Sequence, residues 1–117
     1  MQTIDPEAFM IQLNQALDDA LIGPNGWRLV DEKACIERRY SFGNFRSCFA
    51  FMTQMALYSE HHDHHPCWQQ DGSHLVIELH SHDVAGLSKR DLNWAIEAER
   101  LYGKSNPSGD DQSKNAL

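Results

Sequence analysis

Glu60, His61, His62, Asp63, His64, His65 and Pro66 stand consecutively in this chain, followed by Cys67 and Trp68. Four of the seven histidines lie in that run, beside two carboxylates. A second stretch, His80, Ser81, His82 and Asp83, adds two imidazoles and a third carboxylate. Imidazole titrates near pH 6.5 and suits proton transfer, metal ligation or a plain polar surface. Each use makes a different demand on spacing. For a metal site, His61/His64 and His62/His65 have separations a helix can use, and His80/His82 point the same way on a strand. No cysteine pair or His-Glu-x-x-His pattern accompanies them, and Pro66 interrupts the helix that the spacing needs. As a surface feature, the histidines would simply solvate a turn. As an acid–base site, Pro66 holds His65, Asp63 lies close by to orient or charge an imidazole, and His82 arrives from a strand end. The residue types favour the third reading, with a small polar substrate and no metal.

The elements that must position these side chains follow from the pattern around them. Asp5, Pro6 and Glu7 form a helix start: N-cap, first-turn proline and first-turn acid. Phe9, Leu13, Ala16, Leu17 and Ala20 continue at helical spacing up to the break at Gly23, Pro24, Asn25 and Gly26. Residues 27–30 read as a short strand. Residues 34–42 alternate, with Ile36, Tyr40 and Phe42 on one face and Glu37, Arg39 and Ser41 on the other. Arg38 interrupts the apolar set and is expected at an edge, its stem on the core and its head in water. Gly43 and Asn44 open a second helix with a stripe of Phe45, Cys48, Phe49, Met52, Met55 and Ala56. Phe51, Leu57 and Tyr58 lie off that stripe, which predicts a helix buried on two sides, against its own sheet and against a partner subunit. The helix should end near Glu60, because the residue before Pro66 is pushed to extended geometry. Asp71-Gly72 signals a hairpin. Leu75, Ile77 and Leu79 then alternate with His74, Val76, Glu78 and His80. Ser88 to Asp91 resembles a capping box, with Asp at the third helical position. Leu92, Trp94, Ala95, Ile96, Ala98 and Leu101 carry the last helix. The order α-β-β-α-β-β-α argues an α+β fold, a four-stranded antiparallel sheet with three helices on one face.

Composition sets limits. The 117 residues make one domain. Residues 103–117, rich in Gly, Ser, Asn and Asp, read as a disordered tail. A net charge of −7 argues against nucleic acid, which needs a clustered basic face. No apolar run approaches a membrane span, and the acidic, amphipathic N-terminus does not read as a signal peptide. The three cysteines, Cys35, Cys48 and Cys67, fit neither a disulfide framework nor a zinc knuckle. A reduced, cytoplasmic protein is expected.

Several of these pieces together resemble the pterin-4a-carbinolamine dehydratase family, also called 4a-hydroxytetrahydrobiopterin dehydratases. They are Phe42 to Phe45 at the helix start, Phe49 to Ala56 within the helix, and Glu60 ahead of His64, His65 and Pro66. Trp68, His82 sixteen residues after the proline, and Ala85 to Asp91 complete the set. The match runs from Trp27 through the last helix, so residues 1–102 form a dehydratase-like domain. The resemblance implies a lyase that converts 4a-hydroxytetrahydropterin to quinonoid dihydropterin and water, recycling the pterin left by an aromatic amino acid hydroxylase. It implies catalysis by His64, His65 and His82 with no cofactor, and pterin contacts from Asp63, Ser81 and Asp83, with Pro66 and Trp68 beside them. His61 and His62 match no functional position. Gly72 stands where the family usually has an aromatic residue, and His80 where it has a small hydroxyl residue. The resemblance also implies a homodimer, possibly paired into a tetramer. A competing role is that of a coactivator-type module binding a partner helix through Phe51 and Tyr58. A Rubisco-assembly relative of the fold would not be expected to keep the histidine triplet.

Overall fold

The computed structural model describes residues 2–30 and 34–105. Its elements are α1 (Pro6–Ala16), β1 (Arg28–Leu29), β2 (Ile36–Ser41), α2 (Phe45–His62), β3 (Cys67–Asp71), β4 (His74–Leu79) and α3 (Lys89–Ser105). Short 3-10 turns lie at Asp19–Leu21 and His82–Val84. All strand pairs are antiparallel, in the order β1-β2-β4-β3. This is the expected α+β architecture. Of the tail expected at 103–117, residues 103–105 belong to α3, which runs through Ser105, and residues 106–117 lie outside the described residues.

Alternation decides which face of the sheet is buried. Ile36 and Tyr40 of β2 and Leu75, Ile77 and Leu79 of β4 are all essentially inaccessible. They meet Phe9 and Leu13 of α1, Cys48, Phe51 and Met55 of α2, and Trp94, Ala95 and Ala98 of α3 in one core. Asp5 caps α1 by accepting from Ala8 N at 3.2 Å. The helix stops at Ala16, earlier than its periodicity suggests, because Asp18 starts a separate 3-10 turn by accepting from Ala20 N. Asn44 caps α2, its Oδ1 accepting from Ser47 N at 2.8 Å. Gly72 takes the positive φ of the β3–β4 hairpin turn.

Two expectations fail. Phe51 is a core residue, 2% exposed, while Phe45, Phe49 and Leu57 are exposed at 54%, 53% and 63%. The helix is apolar on two sides, as read, but the sides are assigned differently: Cys48, Phe51, Met55 and Ser59 face inward. Arg38 is not at an edge with its head in water. β2 is an interior strand, and Arg38 is buried on the helix-covered face. Its Nε donates to Glu99 of α3 at 2.6 Å, and Tyr40 Oη donates to the same carboxylate at 2.6 Å. The guanidinium stacks 4.1 Å from the Tyr40 ring centroid. Pairing, hydrogen bonding and stacking together offset the desolvation of both charges.

Candidate active site

The C-terminal end of α2 and the first turn of α3 meet beside the 80–86 segment. Helix α2 continues past Glu60 to His62 and ends on Asp63, whose φ of 51° is left-handed. Asp is among the few residues that tolerate this conformation. His64 N then donates back to Ser59 O at 3.0 Å. The reversal turns His64 inward and Pro66 starts the path into β3. Ser59 is itself fixed, its Oγ donating to Met55 O at 2.6 Å and accepting from Trp94 Nε1 at 2.9 Å.

His64 is the buried member of the triplet, and its anchor is Asp91. Nε2 lies 2.6 Å from Asp91 Oδ1, and the Asp91 carboxyl is fully enclosed. Asp91 Oδ2 accepts from Ser81 Oγ at 2.8 Å and from Ser88 N at 2.9 Å. The bond from Ser88 N is one half of the capping box. Ser88 Oγ, which accepts from Arg90 N, is the other half and lies 2.6 Å from Ser81 Oγ. A carboxylate can only accept, so Nε2 of His64 carries the proton and Nδ1 is the ring nitrogen left uncommitted. Thus the cap of α3 also selects the tautomer of His64.

A cleft of about 330 Å³ is lined by Asp63, His64, His65, His82, Asp83 and Arg90. The fold therefore brings the three histidines of the resemblance together from two distant chain segments. His65 is exposed, with Nε2 3.0 Å from Glu60 Oε1, itself exposed. His82 begins the 3-10 turn and its ring lies 4.1 Å from that of His80. His80 departs from the family pattern and faces a neighbouring cavity with Glu78 and Cys35. Arg90 Nη2 donates to Asp83 Oδ1, and this bond holds the Asp83 carboxyl below its ordinary pKa.

The remaining expected residues take other places. Asp63 borders the cleft, but its carboxylate hydrogen-bonds no imidazole among the described residues; Asp91 has the orienting role foreseen for it. Ser81 is fully buried with its hydroxyl committed to Asp91 and Ser88. Trp68 is half-buried on β3, edge-on to Trp94 at 6.4 Å, and neither it nor Pro66 lines the cleft. His61 and His62 are exposed on the last turn of α2, outside the cleft, with His62 against the Tyr58 ring at 4.2 Å. Gly72 is the hairpin turn. Sequence reasoning missed Asp91 and Arg90 as site residues. The signal was present in the Ser88-x-x-Asp91 start, where the short Asp side chain keeps the carboxylate close to the helix end. Among the described residues no three His, Cys, Asp or Glu side chains converge as a metal site, and no helix is long and apolar enough to cross a membrane.

Comparison with known proteins places the chain in one class. The family model described as Pterin 4 alpha carbinolamine dehydratase matches residues 11–101. The chain belongs to that family, whose name is that of a dehydratase acting on a pterin. A Rhizorhabdus wittichii protein that carries the family's name provisionally is 43% identical over 83 residues, 71% of this chain and 86% of the relative. A Prochlorococcus marinus protein, named in the same way, is 31% identical over 96 residues, 82% and 97% of the two chains. The crystal structure of a transcriptional coactivator/pterin dehydratase from Brucella melitensis superposes with a TM-score of 0.74 at 31% identity, covering 86% of this chain and 98% of that one. A pterin dehydratase-like RuBisCO assembly factor of the alpha-carboxysome shares the fold, with a TM-score of 0.59 at 23% identity over 66% of this chain and 89% of that one.

Proposed function

We propose that the protein dehydrates 4a-hydroxytetrahydropterin to quinonoid dihydropterin, with His64, His65 and His82 as its catalytic residues. The observation that carries this reading is the convergence of the three imidazoles on one cleft, one of them locked by a buried carboxylate. In the reaction the C4a–O bond breaks, the departing hydroxyl takes a proton from an imidazolium, and a ring N–H of the pterin gives its proton to a neutral imidazole. The products are quinonoid dihydropterin and water, with no change of oxidation state. His64, fixed in one tautomer, binds and polarises the hydroxyl. His65 and His82, both exposed to solvent, form the proton-transfer pair and can exchange protons between turnovers. Asp63 and Asp83 border the cleft as acceptors for pterin N–H groups. The protein would act in the cytoplasm after an aromatic amino acid hydroxylase. The test is enzymatic dehydration of a freshly made 4a-hydroxytetrahydropterin; a rate no higher than that in buffer would reject the reading.

The outward face of α2 supports a homodimer or homotetramer. Phe45 and Phe49 stack at 5.6 Å in the open, and Leu57 lies exposed on the same helix. Apolar surface of this kind usually marks an interface. Light scattering should give a multiple of the 13.4 kDa chain mass, and Phe49→Lys should lower it. The same face favours the second reading, a coactivator-type module, as the description of the Brucella melitensis relative suggests. Retention of a partner by a catalytically dead His82→Ala protein would separate binding from turnover.

A further inference from the structure

We propose that Arg90 is a positioning residue for substrate: it holds Asp83 facing the cleft as the acceptor for the donor edge of the pterin, N3–H and the 2-amino group. This inference rests on the pterin-dehydratase reading of the site. Four observations lead to it. Arg90 and Asp83 line the same cleft as the three histidines. Their ion pair runs from Nη2 to Oδ1 and leaves Asp83 Oδ2 outside that bond. Arg90 Nε is buried with no hydrogen-bond partner among the described residues, so Asp83 is the polar group that directs the guanidinium. Finally, the 3-10 turn His82–Val84 has no side-chain cap and no buried residue. Within the turn itself, the Asp83 side chain ties it to α3, beside the bond from Ser81 at its N-cap to Asp91.

Stability does not account for this pair. The two side chains are 26% and 61% exposed, and ion pairs this open to water add little to folding. Inside a cleft the same pair has a use. The guanidinium holds the ionised carboxylate in one orientation, and a charged acceptor binds paired N–H donors more strongly than a neutral one. The first turn of α3 then serves both sides of the site. Asp91 fixes His64 toward the reacting carbon, and Arg90 fixes Asp83 toward the far edge of the ring. Holding the substrate at both ends sets the 4a-hydroxyl against the imidazoles.

The test compares wild type with Arg90→Gln, Arg90→Lys and Asp83→Asn, using two unreactive probes. Oxidised pterin has the amino donor; lumazine carries a carbonyl there instead. Wild type should bind pterin more tightly than lumazine by roughly tenfold, the worth of one charge-assisted hydrogen bond. Arg90→Gln and Asp83→Asn should lose most of that preference, with unchanged melting temperature, and Arg90→Lys should restore part of it. In turnover, KM should rise for Arg90→Gln by more than kcat falls. An unchanged pterin-to-lumazine ratio in Arg90→Gln would overturn the inference while wild-type turnover left the dehydratase reading standing. Wild type that binds pterin with the expected preference, lost in Arg90→Gln, but does not dehydrate substrate would overturn the reading and keep the inference. Failure of wild type to bind pterin would overturn both.

Discussion

Helix α3 makes two buried carboxylate contacts, eight residues apart, and they serve different ends. Near its start Asp91 meets His64 at 2.6 Å; further along Glu99 meets Arg38 at 2.6 Å. Both carboxylates accept additional hydroxyl bonds, from Ser81 and from Tyr40. The partners differ. A guanidinium stays charged at any physiological pH and presents only donors, so Arg38 is a fixed rivet between sheet and helix. An imidazole can gain or lose a proton, and the pair at the start of α3 borders a cleft while the other is sealed by aromatic rings. A buried carboxylate is thus a structural device in both places. Chemistry becomes available where its partner is titratable and reachable.

Breaking the rivet should give the largest effect. Glu99→Ala leaves Arg38 charged and buried without its partner, and should cost about 3–5 kcal/mol of stability in chemical denaturation. Turnover per folded molecule should be retained, and replacing both partners with apolar residues should recover much of the loss. A collapse of activity in the folded fraction would show that the two pairs are not separate in function.

In the cleft that His64 borders, the ranking of effects should invert. His65→Ala or His82→Ala should lower turnover by about 10²-fold or more with the fold intact by circular dichroism, since acid–base groups act in the transition state. His61→Ala, outside the cleft, should change turnover little. Equal losses at His61 and His65 would dissolve the distinction between site and surface. Exhaustive chelation should leave wild-type activity unchanged, because the proposed chemistry moves only protons; loss restored by zinc would move the histidines to a metal site.

Asp91→Asn sharpens the comparison. Its amide no longer offers acceptors to all of its donors, so it should cost about 1–3 kcal/mol in stability and at least tenfold in turnover. A stability loss with full activity would reduce Asp91 to a second rivet.

The smallest effect is expected where an ionic cluster stands half in water. Burial pushes the Glu37 carboxyl up, but hydrogen bonds from Arg39 and Arg28 more than offset it, and its pKa lies below the ordinary 4.5. A depressed folded pKa contributes stability above the unfolded value and loses it as pH falls through the folded one. Glu37→Gln should therefore flatten the acid limb of the stability curve just below pH 4.5, slightly, because Arg28 and Arg39 are 43% and 67% exposed.

Most of the fold was legible in local pattern. Asp5-Pro6, Asn44, Gly72 and the Ser88 start are stop and start signals that act within a few residues. Strand alternation likewise placed Leu75, Ile77 and Leu79 on one face, because side-chain direction in a strand follows from backbone geometry alone. Of the clustered histidines, His64 and His65 line the cleft.

What required the tertiary structure was every choice between two locally equal options. Periodicity shows that α2 is apolar on two sides but not which side meets the sheet, and Phe51 rather than Phe49 went inward. Alternation put Arg38 on the apolar face but could not supply Glu99, 61 residues away, and so suggested water as its partner. Asp63 stood beside the histidines in the chain, yet Asp91 anchors His64 from 27 residues off. A left-handed cap on α2 turns His64 toward α3, and three donors converge on the Asp91 carboxylate. Local signals decide φ and ψ; a buried charge takes whichever partner the folded chain brings within hydrogen-bond reach.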